Sequence, residues 1–599
     1  MFLRTLLLGI ATLFLLPLAN RLDAAPQESV GEIMEEIAKS KDEVNTSLFE
    51  RLAAIGDQAS FDALKTVPKM LSDQAMRDAA YEAFVEYIGL DELELAAIQF
   101  LVNETNGRST SLRRGAAKGL ARFEEVAEAE LETVAKKNKD PLVRAYVARA
   151  LLAMWTARQN DRKLTLLLEA SGVPATGEHD ELVALYDQWD RPESTKAFCR
   201  VLSKRKANVR IKRVIIAVIV DREHDDIAGA LTDALGTKDP LTQYRALVAL
   251  DERGETSHES QLKKLTGSGD EAVRMMAIIS LARINAADPR FASKIEKYAR
   301  HKNPATRQGA VVALGILGTP EARVLIEHAL ADEDRLVRLE SIKQLLELRA
   351  KESLPALIAR LAVETGRARD ELTLGLRMLT ALDHGTSHDR WSRWWEGEGE
   401  KFELPTLEDA VAAEEMRKAN KDKAGTIASF YGLDVSSDRI AFLTDMSGSM
   451  NNEQREGTRM DVAKEELAKS LEAYPAGAWF NLIFFSTEVT PWKDGMVKMD
   501  DYVRSSALEY VSRQGPGGAT AIYDALHSVF QDREVDTIFL LTDGEPQGGT
   551  EDNPTLIREA VLRWNLTRGI EIHCISIGRR SALLKGIAED SGGAYREVQ

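Results

Sequence analysis

Five oxygen-bearing side chains towards the C-terminal end of the chain have types and spacing that suit metal chemistry. Asp445, Ser447 and Ser449 form an Asp-x-Ser-x-Ser motif on one short loop, and Thr520 and Asp543 follow further along the sequence. Carboxylate and hydroxyl oxygens are hard ligands of the kind that Mg²⁺ prefers, and Mg²⁺ commonly keeps positions open for water or an outside ligand. The pattern predicts a divalent-cation site for Mg²⁺, or alternatively Mn²⁺ or Ca²⁺.

The elements around these residues alternate between two kinds of segment. Short apolar runs lie at 439–444, 479–485, 537–542 and 570–577, and amphipathic segments lie at 460–471, 519–530, 554–566 and 581–588. Buried strands joined by helical crossovers predict a doubly wound parallel sheet. Ligands of such sheets bind at the carboxyl ends of the strands, which is where the five polar residues fall.

The motif and its surroundings resemble the metal-ion-dependent adhesion site of von Willebrand factor A domains and integrin I domains. The resemblance covers residues 439–599 and includes the run Gly-Gly-Ala-Thr-Ala-Ile-Tyr-Asp-Ala-Leu that contains Thr520. It implies an α/β doubly wound, Rossmann-like domain in which the hydroxyls of Ser447 and Ser449 bind the cation directly. It also implies that Thr520 binds directly or through water, and that Asp445 and Asp543 hold coordinated waters or bind directly.

A helical repeat occupies the sequence before this domain. Its clearest copies begin at Asp239, Asp270, Asn303 and Asp334, with spacings of 31, 33 and 31 residues. Asp or Asn can cap a helix, and Pro at the first helical position costs no hydrogen bond. An Arg four residues after the start can reach the Asp of the adjacent repeat. The pattern resembles HEAT and armadillo-like repeats, and the resemblance implies an all-α solenoid of stacked hairpins.

The sequence therefore predicts four consecutive regions: a signal peptide at 1–24, repeats at 27–396, a linker at 397–438 and the A domain at 439–599. The first region has Arg4 ahead of an apolar run and small residues at Ala24 and Ala25, which favours cleavage on export. The run is too short to span a bilayer comfortably. We expect a periplasmic, cell-surface or secreted protein without a transmembrane segment once the signal is removed.

The end of the repeats carries the remaining residues that could bind a ligand. His384 and His388 have ligand spacing, but a zinc site needs at least three protein ligands, and a solvated loop is the expected structure. Trp391, Trp394 and Trp395 stand at helical spacing. We expect them to cover the open apolar end of the repeats, because a terminal repeat must shield its core from water.

Composition limits the classes of function. The chain has 78 Lys and Arg against 95 Asp and Glu, a net charge of −17, and no basic block that could neutralise phosphates. A nucleic-acid partner is therefore not expected. Only Cys199 and Cys574 are present, both among apolar neighbours, and we expect buried free thiols.

The preferred interpretation is a non-enzymatic adhesion or scaffolding protein. The A domain would grip an Asp or Glu of a protein partner through its cation, and the repeats would offer an extended interaction surface. One alternative is a Mg²⁺-dependent phosphatase-like hydrolase, but that chemistry needs Asp-x-Asp, and Ser447 stands where the second Asp would act as the acid. The other alternative is a purely structural scaffold that binds nothing.

Overall fold

The fold is described from a computed structural model. It describes residues 28–40, 44–158, 163–170, 179–288, 290–421, 429–434, 437–454 and 457–598. The expected signal peptide at 1–24 lies outside the described residues. Within them, no helix is both long and apolar enough to cross a membrane. The chain divides into two compact units, residues 1–160 and 161–599.

The described part of the first unit is helical. Its α-helices are α1 Val30–Ser40, α2 Ser47–Ala54, α3 Gln58–Leu64, α4 Val67–Met70, α5 Gln74–Glu82, α6 Glu92–Glu104, α7 Thr110–Ala121, α8 Glu128–Lys137 and α9 Pro141–Arg158, with 3₁₀ turns at Ala83–Tyr87 and Glu124–Ala127. Helices α5, α7 and α9 pack in sequence order. Ser109 caps α7, and Arg113 on that helix pairs with Asp140 of the following repeat at 2.7 Å. This is the predicted link between neighbouring repeats.

The second unit continues the helical repeats before it reaches the sheet. Its repeat helices are α10 Leu164–Ala170, α11 His179–Asp187, α12 Pro192–Leu202, α13 Val209–Ile219, α14 Asp226–Ala234, α15 Pro240–Glu252, α16 Glu259–Leu265, α17 Glu271–Ile284, α18 Phe291–Ala299, α19 Pro304–Leu317, α20 Pro320–Ala329, α21 Arg335–Leu348, α22 Leu354–Leu361, α23 Gly366–Thr380, α24 His388–Glu398 and α25 Leu407–Lys421, with a 3₁₀ turn at Lys351–Ser353. Helices α15, α17, α19, α21 and α23 pack in succession.

The repeat motif has the capping role that its sequence predicts. Asp239, Asp270, Asn303 and Asp334 are the N-cap residues of α15, α17, α19 and α21, and each side chain accepts a hydrogen bond from a backbone N–H of the first helical turn. Such a cap stabilises a helix by about 1 kcal/mol. Arg213 of the preceding repeat also pairs with Asp239 at 2.8 Å. One residue type therefore both starts a helix and joins two repeats.

The aromatic residues at the end of the repeats form one cluster. Trp391 is fully buried on α24 and donates through Nε1 to the carbonyl of Gly385. The ring of His384 lies edge-on to Trp391, with centroids 4.7 Å apart, and it also contacts Trp394. The expectation of a solvated loop is therefore wrong for His384, whose ring packs on two indoles. His388 is the first residue of α24.

The segment expected to be a linker, 397–438, carries secondary structure of its own. It contains the whole of α25 and a short antiparallel pair, β1 Ser429–Phe430 and β2 Leu433–Asp434. Glu414 on α25 receives two hydrogen bonds from Arg377 on α23, at 3.0 and 2.9 Å, and is 7% exposed. A long-range ion pair holds α25 on the repeats, and this contact is not visible in the local sequence pattern.

The C-terminal part is a mixed α/β domain. Its strands are β3 Arg439–Asp445, β4 Glu453–Gln454, β5 Gly457–Thr458, β6 Trp479–Phe485, β7 Val489–Pro491, β8 Val497–Lys498, β9 Thr537–Thr542, β10 Glu571–Ile577 and β11 Tyr595–Val598. Its helices are α26 Arg459–Ala473, α27 Asp501–Ser512, α28 Ile522–Phe530, α29 Pro554–Asn565 and α30 Ala582–Ser591, with a 3₁₀ turn at Gly448–Asn451. The main sheet has the order β11-β10-β9-β3-β6-β7, and β8 also pairs with β6.

The doubly wound fold class is confirmed by the pairing and by the two cores. Strands β3, β6, β9, β10 and β11 are parallel, while β7 and β8 are antiparallel additions. Phe442 of β3 lies in the core on the side of α26 and α27, and its neighbour Leu443 lies in the core with α28, α29 and α30. Neighbouring strand residues face opposite ways, so a fully apolar strand serves helices on both faces.

Helix α27 and the short strands β4, β5, β7, β8 and β11 of the sheet domain were not predicted. The strands have two to four residues, too few to show a period.

The buried free thiols are confirmed for Cys199 and Cys574. Burial raises the pKa of both thiols, that of Cys199 to about 11.

The repeats of the second unit hold the sheet domain through a set of ion pairs and hydrogen bonds, which we call the docking face. Its pairs are Arg245 with Glu559, Arg563 with Asp270, Arg533 with Asp334, Arg335 with Asp536, and Asp180 with Asn553 and Thr555. Arg367 also donates to the carbonyls of Asp536 and Gly569. These contacts lie along α29 and at the amino ends of β9 and β10.

Candidate metal centre

Four loops meet at the carboxyl ends of β3, β6 and β9. Backbone hydrogen bonds tie the loop after β3 to the end of β6, from Met446 to the carbonyl of Phe485, and to the loop before α28, from Gly448 to the carbonyl of Gly518. Thr520 exchanges two backbone hydrogen bonds with Gln547, both at 3.0 Å. Strand order reverses around β3, with β6 on one side and β9 on the other, which is the usual ligand position in this fold.

Backbone geometry at one glycine allows this approach. Gly518 has φ of +87°, and a Cβ there would lie 2.8 Å from Thr487 Oγ1. The loop that carries Thr520 can therefore pass close to β6 only without a side chain at this position. The pairing with Gln547 also explains why α28 begins at Ile522, three residues later than its amphipathic pattern predicts.

The structure brings four of the five predicted donors into one hydrogen-bonded chain. Asp445 accepts from the backbone N–H of Ser447 at 2.6 Å, the hydroxyls of Ser447 and Ser449 are 3.1 Å apart, and Ser449 donates to Asp543 Oδ1 at 2.6 Å. Thr520 lies beside them, since a Cβ on Gly544 would be 3.4 Å from its hydroxyl. All but Ser449 are buried, and Ser449 is half-buried.

The donor set fits a small divalent cation. Oxygens at neighbouring positions around octahedral Mg²⁺ lie about 2.1 Å from the ion and hence about 3.0 Å from each other. The separations between the hydroxyls of Ser447 and Ser449 and from Ser449 to Asp543 are 3.1 and 2.6 Å. Two carboxylates and three hydroxyls are hard donors. Among the described residues, no group of three or more His, Cys, Asp or Glu is placed to hold a metal ion.

The surroundings of Asp445 shift the pKa of its carboxyl group. Burial raises its pKa to about 6, and repulsion from Asp543 adds to the rise, while hydrogen bonds from Thr542 and Ser447 oppose it. A buried carboxylate that resists ionisation without a counter-charge gains most from a cation. The cation would supply that charge beside Asp445.

Mg²⁺ affinity should consequently depend on pH near 6. The folded pKa of Asp445 lies above its ordinary value of 3.8, so the metal-free fold retains a proton that the unfolded chain releases, and its stability falls as pH rises through about 6. Mg²⁺ needs the ionised form of Asp445, so the affinity of the site for Mg²⁺ rises as pH rises through about 6. We expect about tenfold weaker binding at pH 5 than at pH 7, measured by calorimetry. Equal affinity at the two values would contradict this expectation.

Sequence reasoning missed two residues that contact the donors. Thr542, the last residue of β9, donates its hydroxyl to Asp445 Oδ2. Arg459, the first residue of α26, donates to Asp543 Oδ2 at 2.6 Å. Thr542 directly precedes Asp543 at the carboxyl end of a strand, a position that could have marked it. Arg459 gives no comparable signal, because an Arg at the start of a helix is ordinary.

The geometry defines a class of protein. Its members have an α/β domain with a five-oxygen site at the topological switch point, and capped helical hairpins precede that domain. Residues 438–597 match the family model "von Willebrand factor type A domain", and residues 227–302, 259–345 and 292–377 match the model "HEAT repeats". The chain therefore carries a von Willebrand factor A domain with HEAT repeats upstream of it.

Individual relatives share the A domain. The chain is 31% identical over 180 residues to inter alpha-trypsin inhibitor heavy chain 4 of Mus musculus, covering 28% of this chain and 18% of that one. It is 28% identical over 163 residues to von Willebrand factor A domain-containing protein 3A of Homo sapiens, covering 26% and 13%. A solved von Willebrand factor type A structure from Catenulispora acidiphila is 23% identical, covers 27% and 38%, and gives a TM-score of 0.24. The chain thus spans less than a fifth of both curated relatives.

Proposed function

We propose that this protein binds a protein partner through a divalent cation held by Asp445, Ser447, Ser449, Thr520 and Asp543. The observation that carries the proposal is the convergence of these oxygens at separations suited to Mg²⁺. Three of these five donors are neutral hydroxyls, which withdraw less of the cation's charge than carboxylates in their place would. A carboxylate from an Asp or Glu of the partner is the anionic oxygen ligand that would complete its shell.

The groups around the donors support binding without turnover. Among the described residues, the further side chains that hydrogen-bond to the five donors are those of Thr542 and Arg459. A threonine hydroxyl and an arginine guanidinium are not the side chains that general acid–base hydrolysis of a phosphate ester commonly uses. These contacts support an interaction protein over the hydrolase alternative.

In this proposal the repeats have a second role, which is to support the A domain. The docking face engages α29 and the amino ends of β9 and β10, whereas the donors lie at the carboxyl ends of β3 and β9 and in the loop before α28. None of the docking pairs named above includes a donor, so the same side chains do not serve both the support and the cation site. Repeat surfaces outside the docking face remain candidates for further partners.

The test is capture of partners by the immobilised full-length chain. Proteins held in Mg²⁺ and released by EDTA should fail to bind Thr520→Ala, which removes one donor oxygen. Thr490→Ala is the matched control, because Thr490 lies exposed on β7 and is not one of the five donors. A partner that binds wild type equally in EDTA and in Mg²⁺ would refute the cation's role. It would direct the search to the repeats, and the absence of any partner would favour a purely structural scaffold.

Export is also part of the proposal, supported by Arg4 and the apolar run 6–19 of the sequence. N-terminal sequencing of the mature protein is expected to begin near Ala25. Recovery of chains that begin at Met1 from a soluble cytoplasmic fraction would contradict it.

A further inference from the structure

A positive charge of the protein itself lies against the candidate cation site. Arg459 Nη1 donates to Asp543 Oδ2 at 2.6 Å, while the other oxygen of the same carboxylate accepts from Ser449. The side chain of Asp543 is 0% exposed and that of Arg459 is 22% exposed. One buried carboxylate is therefore shared between a guanidinium on one side and the cluster of donor hydroxyls on the other.

The fold holds Arg459 in this position. Thr458 caps α26 in a capping box with Asp461, which sets the direction in which the first helical residue leaves the helix. Gly578 follows β10 with φ of +73°, and a Cβ there would lie 2.6 Å from Arg459 Nη2. The glycine leaves the space through which the guanidinium reaches Asp543. Any side chain at residue 578 would meet the guanidinium.

Charge balance shows what this arrangement does. Without a cation, Asp445 and Asp543 face one guanidinium, so the cluster keeps one negative charge in excess. A bound divalent cation would turn this into one positive charge in excess. Arg459 thus relieves the repulsion between the carboxylates when metal is absent, and it repels the metal when metal is present.

We propose that Arg459 is a resident counter-ion that weakens Mg²⁺ binding and leaves the loaded site positively charged towards an anionic partner. The inference rests on the proposed function, because it assumes a cation at the five donors. It makes Arg459 a positioning residue that acts through Asp543. Its hydrogen bond to Oδ2 of Asp543 leaves Oδ1 turned towards Ser449, and its charge sets how tightly the site holds metal.

The experiment uses Mg²⁺ alone as the probe and compares Arg459→Gln with wild type in the full-length chain. Gln can still donate a hydrogen bond to Asp543 but carries no charge. We expect Arg459→Gln to bind Mg²⁺ about tenfold more tightly by calorimetry, and to melt at a lower temperature in EDTA. Arg459→Lys, which keeps the charge, should bind within about threefold of wild type.

The matched control is Arg579→Gln. Arg579 pairs with Glu545 just beyond the metal loop and touches none of the donors. Its removal should leave Mg²⁺ affinity unchanged. An equal gain in Arg579→Gln would show a general effect of net charge and would overturn the proposal, as would unchanged or weaker binding by Arg459→Gln.

The remaining outcomes distinguish the role of Arg459 from the proposed function of the cation site. If Arg459→Gln unfolds in EDTA, recovery of the fold on adding Mg²⁺ supports the counter-ion role, and failure to recover overturns it. If Arg459→Gln binds Mg²⁺ and wild type does not, this inference stands, and the proposal that the wild-type protein binds its partner through a cation is contradicted. If wild type binds and Arg459→Gln does not, the proposed function survives and this inference falls. If neither binds, both fall.

Discussion

Replacement of Asp536 by alanine is expected to lower the free energy of unfolding by about 3–5 kcal/mol, the cost of breaking a buried ion pair from one side. Asp536 is 1% exposed and accepts hydrogen bonds from Ser437 at 2.5 Å, Thr537 at 3.0 Å and Arg335 at 2.9 Å. Removal leaves a guanidinium on the docking face without its carboxylate. Burial already lowers the pKa of Arg335, which is the sign of an unfavourable environment for its charge.

Chemical denaturation of the full-length chain measures this loss. Asp501→Ala is the control, because Asp501 is exposed in the first turn of α27, and its loss should be below about 0.5 kcal/mol. The cost of Asp536→Ala should also shrink in an Arg335→Leu background, where no unpaired guanidinium remains. A cost below 1 kcal/mol would contradict the role of Asp536 in docking the sheet domain.

The second large effect is stabilisation by Mg²⁺. At a free concentration 100 times the dissociation constant, binding to the folded state alone adds about 2.7 kcal/mol, which is visible as a rise in melting temperature. Asp445→Asn should abolish this rise, because the amide has nearly the shape of the carboxylate but lacks its charge. The amide oxygen can still accept from the backbone of Ser447, so the metal-free fold is expected to persist.

Glu545→Gln is the matched control for this experiment. It neutralises a carboxylate two residues after Asp543 that pairs with Arg579 and touches no donor. The Mg²⁺-induced rise should remain. If Asp445→Asn keeps the rise while Glu545→Gln loses it, the cation binds elsewhere on the same edge of the sheet.

The contacts behind the two predictions differ in how well the sequence predicts them. The donors belong to a local motif, and the strands before them are continuous apolar runs, so residues 439–444 and 537–542 were placed almost as β3 and β9 appear. Asp536 offers no such signal. It precedes β9 directly, but its partner Arg335 is 201 residues earlier in the chain.

The residues by themselves determine what depends on local spacing. The 31- to 33-residue period with capping Asp or Asn marks the repeats, because caps and helical faces are set by neighbours within a few turns. Asp-x-Ser-x-Ser between an apolar run and a helix marks one loop of the cation site in the same way. The doubly wound sheet follows from alternating buried strands and amphipathic helices.

Only the tertiary structure decided which charges meet. The chain has 78 Lys and Arg, and nothing local distinguishes Arg459, which neutralises Asp543 across 84 residues, or Arg245, which pairs with Glu559 across 314. The position of His384 among indoles has the same origin. Periodicity specifies the faces of helices and strands, whereas a single long-range pair depends on the path of the whole chain between its two partners.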